Sequence, residues 1–333
     1  MYPNLNRFSF HEDNKNSTTV YETQYEFGGY PKLGMSLAEL RQIVQSNIHT
    51  YDPKQYKVID KFLQDEQVYV DKLAVLEVQK FDLCAIKIPY YDLQSIFGFI
   101  EEIKNIHGTI FPQHLIRIYC IEDILRVFVM HAEKLRIYIK DEWKKSQVKF
   151  EGKKAILKRF YNTGIIKDLS LPEQKISDYL KFHEQIKSNY EHIKSSEIFQ
   201  QSFQLFNNIY IQMQYVKQAA VIEKFQMPLF QNIHLVNLFY VSVDGGLAVR
   251  YKVFLMDNDV IFTSLGSSTK PPKAEMKIRT DTISLNASIR DEFSFEMYEH
   301  CDKGQKKTYM FVAENSYVRN EWMQIISKVC SGK

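Results

Sequence analysis

The chain has 333 residues, 45% hydrophobic and 25% charged, with a net charge of +3 from 43 basic and 40 acidic side chains. That composition excludes wholesale disorder, and the length favours two domains. No run approaches the ~18 apolar residues of a membrane span, the first ten residues lack a secretory pattern, and without a dense Lys/Arg run there is no footprint for a nucleic-acid partner.

Residues 1–35 are polar and aromatic without a clear period and read as an irregular arm. Ser36, followed three residues later by Glu39, forms a capping-box pattern that opens a short helix over about 36–48. The first unit, 1–49, is therefore an arm ending in a helix. From Pro53 to Phe225 the hydrophobic period is helical. Ile59, Phe62, Leu63, Tyr69, Val70, Leu73 and Leu76 recur at three- and four-residue steps, as do Ile96, Phe97, Ile100, Ile103, Ile106 and Ile110. Ile124, Leu125, Phe128 and Leu135 repeat the pattern less cleanly. Pro172 opens a further helix. A long helix from Glu197 to Phe225 carries the stripe Phe199, Phe203, Phe206, Tyr210, Met213 and Ala220, and Pro228 ends it. Residues 50–226 thus read as an all-α domain.

After Pro228 the period shortens towards two. The segments 235–243 and 247–256 are β-branched and aromatic and flank Asp244-Gly245-Gly246, a hairpin signal. A strand at Val260–Ser264 follows, and further strands are expected near 276–279, 282–286, 293–298 and 308–313. An amphipathic helix over about 316–330 presents Val318, Trp322, Ile325, Ile326 and Val329 on one face. Residues 229–331 therefore read as seven short strands closing a bent β-barrel or sandwich, capped by the helix.

The four cysteines, Cys84, Cys120, Cys301 and Cys330, form no CxxC pair and imply free, mostly buried thiols in a reducing compartment. There is no HExxH, no His/Cys cluster with zinc spacing, no phosphate-binding glycine loop and no nucleophile elbow. Bond-making chemistry and a resident metal or cofactor have no motif here.

Three stretches carry a family resemblance. VIDKFLQDEQVYVDKL (Val58–Leu73) resembles the first helix of the Dbl-homology (DH) domain through Glu66, Tyr69, Val70 and Leu73. IFGFIEEIKNIHGTIFPQHL (Ile96–Leu115) resembles its second conserved helix. LSLPEQKISDYLKFHEQI (Leu169–Ile186) resembles its most diagnostic helix through Leu169, Pro172, Gln174, Ile176 and Tyr179, with Lys175 where the family has Arg. Trp322 sits where the pleckstrin-homology (PH) family keeps the tryptophan of its C-terminal helix. The chain therefore resembles a divergent DH–PH tandem over about residues 53–330. The implied fold is multidomain, α then β: an elongated DH-type helical bundle, then a PH-type seven-stranded bent barrel capped by a C-terminal helix.

The resemblance implies a guanine nucleotide exchange factor (RhoGEF) for a Rho/Rac/Cdc42-type small GTPase, cytoplasmic, feeding actin control. Such a protein clamps the switch segments and releases GDP without covalent chemistry, so it needs no cofactor and is not a bond-making enzyme. Helical spacing places Lys61, Asp65, Val68 and Lys72 opposite the buried stripe of their helix. Gln174, Ser177, Asp178 and Lys181 share the outer face of the Pro172 helix. Asn207, Ile211, Gln214 and Gln218 lie opposite the Phe stripe. By resemblance, the GTPase-facing positions are Lys61, Gln174, Ser177, Asp178 and Gln214, with Asp65 beside Lys61.

Two charges depart from the family. Lys61 stands where the family presents Glu, and Asp178 where it often presents Lys or Arg. An inactive scaffold that binds a GTPase or membrane without exchange is therefore the alternative, as are a carboxylate supplied by Asp60 or Asp65 and compensating changes in the partner. In the second module Arg250 and Lys252 alternate on one strand face. They make half a phosphoinositide pocket, which implies weak attraction to anionic lipid at the plasma membrane.

Overall fold

The computed structural model describes residues 35–84, 89–160, 168–222, 231–267, 270–286, 291–301 and 304–331. The expectation of an irregular arm over residues 1–34 lies outside the described residues, as does the chain stop at Pro228.

Helix α1 spans Leu37–Ser46 and starts as its sequence dictates. Ser36 Oγ accepts from the Glu39 amide at 3.2 Å, and Glu39 Oε2 accepts from the Ser36 amide at 2.8 Å. Its buried face of Leu37, Leu40 and Val44 packs on α2, so this helix belongs to the helical body. Helix α2, Pro53–Cys84, is the longest element at 32 residues and runs beside α3, Tyr90–Asn105. A π-helical turn at Ile106–Ile110 then widens the helix and turns His107 inward. Gly108 makes this possible against α2, because a Cβ there would lie 3.2 Å from Val70 Cγ1. Helices α4 (Ile121–Met130), α5 (Asp141–Phe160), α6 (Leu171–Asn189) and α7 (Glu197–Ala220) complete the body.

The stripe expected on α7 is rotated by about one residue. Phe199, Ser202, Phe206, Ile209, Met213, Val216 and Ala219 are buried, and Phe203, Tyr210 and Ala220 are half-buried. The cause is that α4, α6 and the first strand all pack on this helix, which widens the covered face. For the same reason Asn207, Ile211, Gln214 and Gln218 are half-buried instead of facing water.

The second half is one antiparallel sheet of seven strands in the order β4-β3-β2-β1-β7-β6-β5. The strands are β1 (Ile233–Val243), β2 (Val249–Met256), β3 (Asp259–Thr263), β4 (Ala274–Arg279), β5 (Ile283–Asn286), β6 (Ser294–His300) and β7 (Lys306–Ala313). Asp244 at φ 50° and Gly245 at φ 75° turn β1 into β2 as the hairpin signal required. Helix α8, Ser316–Ser331, closes the sheet. Trp322 lies fully buried with its ring 4.8 Å from Phe239, and its Nε1–H donates to Asn237 Oδ1 at 2.6 Å.

Strand alternation splits the sheet between two cores. Val253, Phe262 and Asn237 share the face that meets α8, whereas Val236, Phe254 and Ile261, paired across three strands, turn the other way. Phe254, Ile261, Met256 and Ile233 join the helical core. Gln212 Nε2–H donates to the Ile233 carbonyl at 2.9 Å along this seam. For the three cysteines whose side chains are described, the expected burial does not hold, and the side chain of Cys84 lies outside those described. Cys301 is exposed in the β6–β7 turn, and Cys120 and Cys330 are half-buried at helix ends, where less neighbouring chain covers them. No described helix is long and apolar enough to cross a membrane.

Candidate functional site

A groove of about 470 Å³ opens between α2 and α6. The helices run in opposite senses, since Lys175 stands beside Tyr69 while Phe182 packs on Phe62 at 5.5 Å between rings. Val58, Phe62, Tyr69, Leu171, Tyr179 and Phe182 supply its apolar lining. Lys57, Lys61, Asp65, Lys72, Gln174, Asp178 and Lys181 line it from exposed positions.

Beneath the groove lies a buried polar network. The Glu66 carboxylate, fully buried on α2, accepts from Lys175 Nζ at 2.6 Å and Tyr179 Oη at 2.7 Å on one oxygen. Its other oxygen accepts from His107 Nδ1 at 2.8 Å. That assignment leaves His107 Nε2 as the acceptor for Tyr138 Oη at 2.8 Å, and Tyr138 sits 3.1 Å from Tyr69 Oη. A neutral imidazole and one Lys–Glu ion pair satisfy every partner. Burial disfavours the charged carboxylate, but the Lys175 ammonium and His107 outweigh it and bring Glu66 down to about 2. Burial also pushes His107 below its ordinary value, with Glu66 opposing, and raises the phenols of Tyr69, Tyr138 and Tyr179. The network ties α2, the π turn and α6 at one point, which fixes the spacing of the groove walls.

Four of the six residues expected to face a GTPase line this groove: Lys61, Asp65, Gln174 and Asp178. Both aspartates are already paired, Asp65 with Lys61 at 2.6 Å and Asp178 with Lys181 at 2.8 Å. Ser177 and Gln214 lie away from the groove lining. Ser177 is half-buried, and Gln214 Nε2–H donates to Glu173 Oε1 at 2.8 Å where α7 meets α6. Asp60 does not offer a free carboxylate either. Arg41 of α1 grips it at 2.7 and 3.0 Å, and this hydrogen-bonded pairing holds the Asp60 carboxyl below its usual range. In the sheet, Arg250 is exposed with its guanidinium 5.8 Å from the Tyr240 ring centre, and Lys252 is half-buried between Leu238 and Thr263.

Sequence reasoning singled out Glu66 only as part of the resemblance and did not anticipate its set of partners. His107 lay within a recognised stretch, yet only the π turn aims it inward. Tyr138 carried no signal of its own; a short helical turn over Arg136–Ile139 brings it to Tyr69. Among the described residues no cluster of three His, Cys, Asp or Glu side chains is arranged to hold a metal ion.

No family model matches the chain, and no curated protein matches it. Among solved structures it is similar to the DH/PH domains of PDZ-RhoGEF in complex with GTP-γ-S-activated RhoA, at 11% identity and a TM-score of 0.47, covering 88% of this chain and 96% of that one. It is also similar to the DH/PH domains of p115-RhoGEF, at 16% identity and a TM-score of 0.44, covering 88% and 98%. A third is the Vav1 exchange factor, at 14% identity and a TM-score of 0.39, covering 89% and 83%.

Proposed function

We propose that the chain is a guanine nucleotide exchange factor for a Rho/Rac/Cdc42-type small GTPase. The observation that carries the reading is the α2–α6 groove, where Lys61, Asp65, Gln174 and Asp178 converge from two segments over a hundred residues apart. Both segments resemble DH helices, and a rigid polar network holds them in register. The chemistry asked of such a surface is differential binding. It stabilises the nucleotide-free GTPase over the GDP-bound one, so GDP leaves and GTP replaces it. The six GTPase-facing residues of the resemblance remain part of the proposal, with Ser177 and Gln214 acting at a flank of the surface. The helical body from residue 50 onward and the sheet with its closing helix are proposed as the DH-like (50–226) and PH-like (229–331) domains, with α1 packed against the first. Arg250 and Lys252 are proposed to add weak attraction to anionic lipid, of about 1 kcal/mol per basic residue near the surface, at the cytoplasmic side of the plasma membrane.

A second reading, a scaffold that binds a GTPase without exchange, is favoured by one feature. The groove presents Lys61 where the family has a carboxylate, and the neighbouring acids Asp60 and Asp65 are both engaged. Release of a fluorescent GDP analogue from Rho-, Rac- and Cdc42-type GTPases separates the readings. Faster release with the native chain, lost in Gln174→Ala, is the expected result. Binding in a pull-down with no release from any GTPase would establish the scaffold.

A further inference from the structure

The groove is basic once its internal pairs are counted. Lys61 is matched by Asp65 and Lys181 by Asp178, and the buried Lys175 is matched by Glu66. Lys57 and Lys72 remain on α2, both exposed and both lining the groove, with no ion pair among the described residues. They lie fifteen residues apart on one helix, or about 22 Å at 1.5 Å per residue. An extended segment of about seven residues spans that distance at ~3.3 Å each. Between the two lysines the lining combines apolar side chains (Val58, Phe62, Val68 and Tyr69, with Tyr179 and Phe182 across from them) with the mutually paired Lys61–Asp65 and Lys181–Asp178.

We infer that the groove takes an extended, acidic segment of its partner, with carboxylates near both ends and an apolar centre. The inference rests on the groove being the GTPase-facing surface and deepens that reading. It assigns the acidic charge of this contact to the partner, the reverse of what the DH resemblance implies at Lys61. Exposed lysines of this kind act chiefly on encounter, because their field steers an oppositely charged partner and salt screens it.

The test uses the full chain and the double variant Lys57→Glu/Lys72→Glu, with Lys57→Ala/Lys72→Ala beside it. Both changes lie on an exposed helix face, and unaltered thermal melts would establish folding. GDP release and direct binding are measured on the same GTPase panel at low and physiological salt. The expected result is an apparent second-order rate constant lowered about tenfold or more by the Glu pair and less by the Ala pair. Salt should suppress the native chain, leave the Ala pair little changed and, by screening the new repulsion, partly restore the Glu pair. Exchange that is indifferent to both substitutions and to salt would overturn the acidic partner and leave the exchange reading standing. Binding without exchange, weakened by the Glu pair and by salt, would overturn exchange and retain the acidic segment. Neither exchange nor binding would overturn both.

Discussion

The molecule has two apolar, ring-rich cores, and one of them is also threaded by a buried polar network. The helical core holds a buried ion pair, Glu66–Lys175, inside a ring of His107, Tyr69, Tyr138 and Tyr179. The sheet core is a cluster of rings: Trp322 on Phe239, Phe295 stacked on Phe311 at 4.6 Å, and Phe262 beside Tyr309. Apolar burial is non-directional and tolerates rearrangement if volume is kept. A buried network tolerates only the geometry that satisfies each member, because an orphaned charge inside costs several kcal/mol. The networked core underlies the groove, and the sheet core supports a scaffold. The difference teaches that groove geometry and overall stability can be perturbed separately.

The largest expected effects break the comparison from each side. Lys175→Met leaves Glu66 buried without its cation and should cost about 3–5 kcal/mol by urea unfolding. Trp322→Ala empties the centre of the sheet core and should cost a similar ~3–5 kcal/mol. The two should part in function. GDP release per folded molecule should fall in Lys175→Met and stay near the native value in Trp322→Ala. Adding Glu66→Leu to Lys175→Met should recover part of the lost stability, since both charges are then gone.

The next prediction uses the two tryptophans, Trp143 in the helical core and Trp322 in the sheet core. Burial holds His131 and His183 down to about 4, and lowers His107 as well. A lowered folded value means the unfolded chain binds more protons. This stability is therefore complete above the ordinary value of 6.5 and is lost as pH falls through about 4. Glu66 acts in the same sense at lower pH, losing its contribution between 4.5 and about 2. In the sheet region the depressed groups are carboxyls, Asp291 and Glu296, whose effect begins only near their ordinary values of 3.8 and 4.5. On acidification, Trp143 fluorescence in a Trp322→Phe chain should change before Trp322 fluorescence in a Trp143→Phe chain. Coincident changes would mean that the seam of Ile233, Phe254, Met256 and Ile261 welds the cores into one unfolding unit.

The smallest effect sharpens the edge of the helical core. Ser36→Ala removes the acceptor that caps α1 and should cost about 1 kcal/mol, read as a small loss of midpoint in thermal melts. It should also loosen the Arg41–Asp60 pair that α1 brings to α2.

Much of the fold is written in local pattern. The capping box at Ser36, the period-3.6 stripes of α2 and α3, Pro172 and the Asp244-Gly245 turn each specify a conformation through their own neighbours. The outward set Lys61, Asp65, Gln174 and Asp178 followed from helical spacing, because a side chain's direction on a helix is fixed by its position. Gln214 and Ser177 were harder to place, since their surroundings depend on which neighbours cover α7 and α6.

The sequence by itself determined the helical-then-strand order, the buried faces of α1, α2 and α3 and the residue types on the groove, because these depend on short-range periodicity. Only the tertiary structure decided what those residues do to one another. It spent Asp60 on Arg41, paired both groove aspartates, turned His107 inward through a π turn and left Lys57 and Lys72 to carry the surplus charge. Electrostatic partnership depends on distances between segments far apart in the chain, and no local pattern encodes those distances.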